Sequence, residues 1–206
     1  MPSDTFFRLP EAKRERLMEA AWEEFTTVRC ADASINKIIR SAGIPRGSFY
    51  QYFTDKDDLF QYLVRPLQQH FIEMARQAVE RCSGDLTRAP LAIYDSFFYS
   101  EQSRDRDLMR CIRIIQRNPE QEFHNLFCAP DAPIHSFAER IDTAPLRSRD
   151  PAFLQEMIHL LIFTIASSII DALNAPDRKE PIRRQLQLRV DILMQGCLAA
   201  PQGGTL

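Results

Sequence analysis

Residues 33–60 read ASINKIIRSAGIPRGSFYQYFTDKDDLF, and inside this block one helix must stop and another start within a few residues. Ile35, Ile38 and Ile39 recur at helical spacing, so the first segment packs one face on a core. Ser34 stands just before them, where a side-chain oxygen can cap the helix N-terminus. Gly43 follows Ala42 where the helix has to end, and glycine accepts the left-handed backbone of a helix C-terminus. Pro45 then suits the first turn of a second helix, because its missing N–H would have no intrahelical partner there. Ile44 can anchor the turn on the core. Helices joined by so short a turn meet at a steep angle, which is the geometry of a helix-turn-helix unit.

The second helix carries the chemistry. Its first turn holds Arg46, Gly47 and Ser48, the part of such a helix that approaches base edges. An arginine there can bond guanine O6 and N7 together, a contact worth roughly 1–3 kcal/mol of discrimination. Gly47 removes a side chain where a backbone must come close to DNA. Tyr50 can donate to a phosphate, Gln51 can read adenine or touch the backbone, and Lys56 adds charge at the next helix start. Phe49 and Phe53, at i and i+4, read as core.

The string AGIPRGSFYQYFTDKDDLF resembles the recognition-helix signature of the TetR family of bacterial transcriptional regulators. The resemblance runs from about Pro10 to Leu63; beyond it only length and helical layout are similar. It implies a homodimer that binds a palindromic operator in double-stranded DNA and has a C-terminal domain responding to a small molecule. Carried over position by position, it implies that Ser34, Arg46, Gly47, Ser48, Tyr50, Gln51, Tyr52 and Lys56 face DNA. Two positions depart from the pattern. Pro45 stands where many members have serine or threonine, and Gln51 where histidine is frequent, so sequence preference does not transfer from a relative.

Charge agrees only locally. The chain has a net charge of −2, so bulk basicity does not mark a nucleic-acid binder. The first long helix carries Glu11, Glu15, Glu19, Glu23 and Glu24. Between Ser34 and Lys56, however, Lys37, Arg40, Arg46 and Lys56 stand against Asp55 alone. Such a patch suits gripping two half-sites; the bland reading, strongest for Lys37 and Arg40, is ordinary solvated helix charge.

Six glycines in 206 residues and no sustained alternating pattern predict an all-α protein. The expected division is a three-helix helix-turn-helix head over residues 1–55 and a helical effector-binding and dimerisation domain over 56–206. A supporting helix runs from Glu11 to about Val28, with Leu17, Ala20, Ala21, Phe25 and Val28 in one stripe. Residues 1–9 read as a loose tail; Phe6, Phe7 and Arg8 could touch a minor groove, but packing or disorder is the plainer reading. A long amphipathic helix reaches from about Asp55 to Arg81 with Pro66 inside it, read as a hinge or a static kink. Further helices are expected over 90–101, 105–117, from Asn118-Pro119, over 134–142, from Pro151 to about Leu173, and from 181 to about 199. Residues 201–206 read as a frayed tail.

The last two long helices have broad apolar faces, which suit a two-fold four-helix interface over residues 151–199. An effector cavity is expected among the middle helices, lined from Phe71, Met74, Tyr94, Phe97, Phe98, Met109, Phe123, Phe127 and Phe163, against the plain reading of these as core. Their character points to an apolar or aromatic ligand. Arg110, Arg113, Gln116 and Arg117 could hold an anionic group, though such residues more often form a solvated face.

Other classes fare poorly. Glu156 with His159, His70 with Glu73 and His135 with Glu139 sit at helical spacing without a third ligand, so no catalytic or metal site and no cofactor is expected. Five widely spaced cysteines fit reduced thiols in a cytoplasm. MPSDTFFRLP is no signal peptide, and the unbroken apolar run Leu160–Ile170 is too short to span a bilayer, so no membrane partner is expected. The alternative of another class is a DNA-binding interaction protein of the same fold without an effector.

Overall fold

In the computed structural model, residues 2–99, 106–118 and 139–199 are described. Among them the chain is helical, and the one β feature is an isolated antiparallel bridge between Leu146 and Leu198. The helices expected from Asn118-Pro119 and over most of 134–142 lie outside the described residues, as do Phe123 and Phe127. The chain forms two compact units, Met1–Gln69 with Arg104–Glu122 and His70–Ser103 with Phe123–Leu206. The first is larger than the head expected over 1–55, taking in the start of the long helix and a later helix as well.

The first unit holds α1 (Asp4–Phe7), α2 (Glu11–Thr27), α3 (Ile35–Ala42), α4 (Arg46–Tyr52), the beginning of α5 (Lys56–Arg81) and α7 (Arg106–Arg117). α2 packs on both α3 and α7. Leu17, Phe25, Ile38, Phe49, Phe53, Phe60 and Leu63 are all buried in its core. The predicted stripes therefore point inward, and apolar burial drives the assembly of these short helices.

Two polar ties fix the helices around that core. Glu24, near the end of α2, is the one charged side chain buried among the described residues, 7% exposed. Its Oε1 accepts the Ser34 N–H at 3.0 Å and its Oε2 accepts from Lys37 Nζ at 3.1 Å. A buried carboxylate is tolerated when both oxygens are bonded, and here it binds α2 to the start of α3. Glu24→Ala strands the Ser34 amide and is expected to cost about 1–3 kcal/mol, read as a lower urea midpoint at unchanged m-value.

The second tie is Arg110. Its two terminal nitrogens donate to Glu19 Oε1 and Oε2 at 2.7 and 2.6 Å, and its guanidinium carbon lies 5.7 Å from the Trp22 ring centre. The Arg110 hydrogen bonds hold the Glu19 carboxyl below the usual carboxylate range. Arg110, read as a solvated charge or a holder of an anionic group, instead pairs inside the protein, because α7 packs on α2.

The N-terminus is packed rather than loose. Residues 4–7 form α1, and Phe6 is fully buried. Its ring centre lies 5.0 Å from that of Phe53, 5.4 Å from Tyr62 and 6.4 Å from Tyr52. This segment is too short to show a period, so the tail reading had no pattern to contradict it.

The second unit holds the rest of α5, α6 (Ala89–Tyr99), α8 (Pro151–Asn174) and α9 (Lys179–Cys197). Asp150 caps α8 by accepting the Ala152 and Phe153 N–H groups, with Pro151 in the first turn. By length and composition α8 could cross a membrane; it packs on α6 and α9, with Met157, Ile158, Leu161, Ile162 and Ile165 buried. Arg183 on α9 forms a two-pronged pair with Asp95 on α6 at 2.6 and 2.7 Å. The buried Tyr94 donates its hydroxyl to the Lys179 carbonyl at 2.9 Å, and burial pushes its pKa up to about 12. The turn after α5 uses Gly84 at φ 81°.

Candidate DNA-binding surface

The turn between α3 and α4 is built as its residues dictate. Gly43 sits at φ 65° and donates its N–H to the Arg40 carbonyl at 3.3 Å, while the Ile44 N–H reaches the Ile39 carbonyl at 3.0 Å. These are the two reversed bonds of a glycine-terminated helix end, and they satisfy carbonyls that the helix leaves open. Pro45 lies just before α4, not in its first turn, with φ −62° and ψ 145°. Ser34 caps α3 through Oγ, which accepts from the Lys37 N–H at 3.4 Å.

α4 divides into two faces. Phe49 and Tyr52 point into the core, and Phe49 stacks near Phe53 with 5.8 Å between ring centres. Arg46, Gly47, Tyr50 and Gln51 are exposed, and Ser48 is half-buried. The outward row thus combines a guanidinium, a bare backbone, a phenol and an amide, which are donors suited to phosphates and base edges.

Gly47 is the informative member. A Cβ built on it meets nothing within 4 Å. Neither packing nor a positive φ requires glycine there, although it weakens a helix by roughly 0.5–1 kcal/mol relative to alanine. A residue kept bare without an internal reason fits close approach by an external surface.

The remaining expected residues are placed differently. Tyr52 is buried, covered by α1, and does not join the outward row. Ser34 is half-buried between its cap and Glu24. Lys56, in the first turn of α5, donates Nζ to the Ala31 carbonyl at 2.7 Å. Lys37 is held by Glu24, whereas Arg40 is exposed.

The expected effector residues scatter. Phe71 lines a cavity of about 40 Å³ in the second unit, among Ala75, Val79, Ile93, Ile158 and Ile162. Met74, Tyr94 and Phe97 are buried outside that lining, and Phe98 is half-buried with Lys179 Nζ 5.0 Å from its ring centre. Met109 and Phe163 are exposed, on α7 and α8, and do not line the cavity. Their helical spacing could not say which side of a helix meets a hollow. The residues that do line it, a run of isoleucine, valine and alanine, carry no mark separating them from core.

Comparison with known proteins agrees with this architecture. The family described as bacterial regulatory proteins, tetR family, matches residues 17–63. Its span contains α3, the turn and α4. Among solved structures, a transcriptional regulator from Rhodococcus sp. Rha1 superposes with a TM-score of 0.52 at 19% identity, covering 91% of this chain and 98% of that one. A TetR-family transcriptional regulator from Pectobacterium atrosepticum gives 0.53 at 18% identity, covering 93% and 98%. A structure from Shewanella sp. PV-4, assigned to the same family of regulators, gives 0.54 at 15% identity, covering 91% and 99%. At these identities the likeness is one of fold, and it extends through both units. Residues 17–63 thus resemble the DNA-binding region of the TetR family of bacterial regulatory proteins, and the chain as a whole shares the fold of these solved regulators.

Proposed function

We propose that the protein is a homodimeric repressor that binds a palindromic operator through α4 and leaves it when a small apolar molecule binds the second unit. The observation that carries the DNA half is the outward row of α4, with Gly47 bare and unpacked beside Arg46. Arg46, Gly47, Ser48, Tyr50 and Gln51 meet the major groove, with Ser34 and Lys56 near the backbone. The cytoplasm, where operators lie, is the compartment this role requires.

Dimerisation is supported by α8 and α9. Leu160 and Phe163 on one, and Leu188 and Ile192 on the other, are 50–61% exposed at spacings of three and four. Large apolar side chains grouped in this way favour burial against a second copy, and two-fold pairing presents each residue twice. Two α4 helices would then enter successive major grooves about 34–36 Å apart. Phe163→Asp is expected to shift the protein to monomer at micromolar concentration in sedimentation velocity, with at least a tenfold loss of operator affinity, because half-site binding is then unlinked.

Release would come through α5, which carries Pro66 within it. Proline removes one helical hydrogen bond and makes a point of bending. An effector that fits a bent state better shifts the population toward it and changes the spacing of the two readers. The cavity lining is wholly apolar, which suits an alkyl or aromatic body without a buried charge.

One observation favours a second reading, a DNA-binding protein that positions a partner without an effector. At about 40 Å³ the cavity is far smaller than the roughly 300–1,000 Å³ of ligand pockets, so a ligand must open it. Thermal melts over a panel of alkyl and aromatic compounds separate the two. A Tm rising with the logarithm of ligand concentration selects the sensor; no rise for any compound selects the partner-positioning protein.

A further inference from the structure

We propose that the N-terminal segment Ser3–Phe6 is a brace that sets the angle of the recognition helix, so that operator affinity depends on residues outside the helix-turn-helix. The proposal rests on α4 being the reader. α4 is seven residues long, and a helix this short has little stability of its own. Its last carbonyls have no partner within the helix. Two of them are met from the N-terminus: the Ser3 N–H donates to the Tyr52 carbonyl at 2.9 Å, and Ser3 Oγ donates to the Gln51 carbonyl at 2.5 Å. α1 packs directly on α4.

The second contact of the brace is aromatic. Phe6 lies among Tyr52 and Phe53 at the end of α4 and Tyr62 in α5. It is fully buried, so it cannot move without moving its neighbours. Gln51, whose carbonyl Ser3 holds, belongs to the outward row. Ser3 and Phe6 touch no base in this account. They hold the residues that do, and recognition geometry tolerates errors of only about 10–20°.

Ser3→Pro tests this cleanly. Ser3 has φ −73° and ψ 162°, which proline adopts without strain, and its side chain caps no α1 amide. The substitution removes both donors and leaves the aromatic contacts in place. Two readouts apply to the full-length protein: affinity for its enriched genomic site against random-sequence DNA of equal length, and hydrogen exchange of the Tyr50–Phe53 amides without DNA. The expected result is a roughly tenfold loss for the specific site, as two hydrogen bonds of ordinary strength imply, with random-sequence binding retained and faster exchange at the end of α4. Unchanged specific affinity, an equal loss on random DNA, or unchanged exchange would overturn the brace. If wild-type protein prefers no sequence, the reading of α4 fails on its own, and the exchange measurement still decides whether Ser3 holds the helix. Should Ser3→Pro not fold, Ser3→Ala removes the hydroxyl donor alone, with about a threefold effect expected in both readouts.

Discussion

Gly47→Glu is expected to raise the thermal stability of the free protein while lowering operator affinity at least a hundredfold. The two signs come from one position. In the free chain nothing lies within 4 Å of a Cβ at residue 47, so a side chain enters without a clash. Replacing glycine in a helix gains roughly 0.5–1 kcal/mol, and a carboxylate near the start of α4 adds a few tenths through the helix dipole. On DNA the same side chain fills the place of closest approach and brings a negative charge toward phosphates. Loss of fit and charge repulsion together exceed about 2.7 kcal/mol, the equivalent of a hundredfold. Gly47→Ala should fall between, with similar stabilisation and about a tenfold loss. Calorimetry and fluorescence anisotropy on the same samples read both quantities. A side chain at 47 that left affinity intact would remove α4 from the groove.

The largest loss of stability is expected from Gly84→Ala. Gly84 adopts φ 81°, where a residue bearing Cβ loses about 1–2 kcal/mol. It also lies against the chain near residue 141. An added Cβ would sit 2.6 Å from the Arg140 carbonyl oxygen, and closer still to the Asp142 nitrogen, both backbone atoms that no rotamer change relieves. The Asp142 N–H donates to the Gly84 carbonyl at 3.1 Å, so backing away breaks that bond. The sum is roughly 3–5 kcal/mol, at the upper end for a single substitution. Urea unfolding should show the midpoint fall, and Ser83→Gly, at φ 54°, should move it slightly the other way.

Gly43 and Gly84 show how far a sequence can be read. Gly43 announces itself, because an isoleucine stripe ends at it and a proline follows; the structure gives it the expected left-handed backbone. The bounds of α2, α5 and α8 follow from period and capping in the same way. Around Gly84 nothing nearby in the sequence marks its close contact, since the backbone it touches lies far along the chain. The same limit hides the partners of charges. Glu24 reads as one more acid in a polar series, yet it is buried beneath Ser34 and Lys37. Arg110 reads as a free cation, yet it is taken by Glu19. Within the set expected to face DNA, the alternation of α4 separated buried Phe49 from exposed Arg46 and Tyr50, but it could not show that α1 would cover Tyr52. That covering depends on Phe6, in a segment too short for any periodic pattern.

Selection of fragmented genomic DNA on the purified protein at physiological salt, followed by sequencing, tests the central claim that α4 reads a palindromic operator. The account predicts one strongly enriched site with half-sites about 10 base pairs apart, or a multiple of that, centre to centre, and loss of its enrichment with Gly47→Glu. Recovery of random fragments with no preferred sequence, or enrichment that persists in Gly47→Glu, would contradict it.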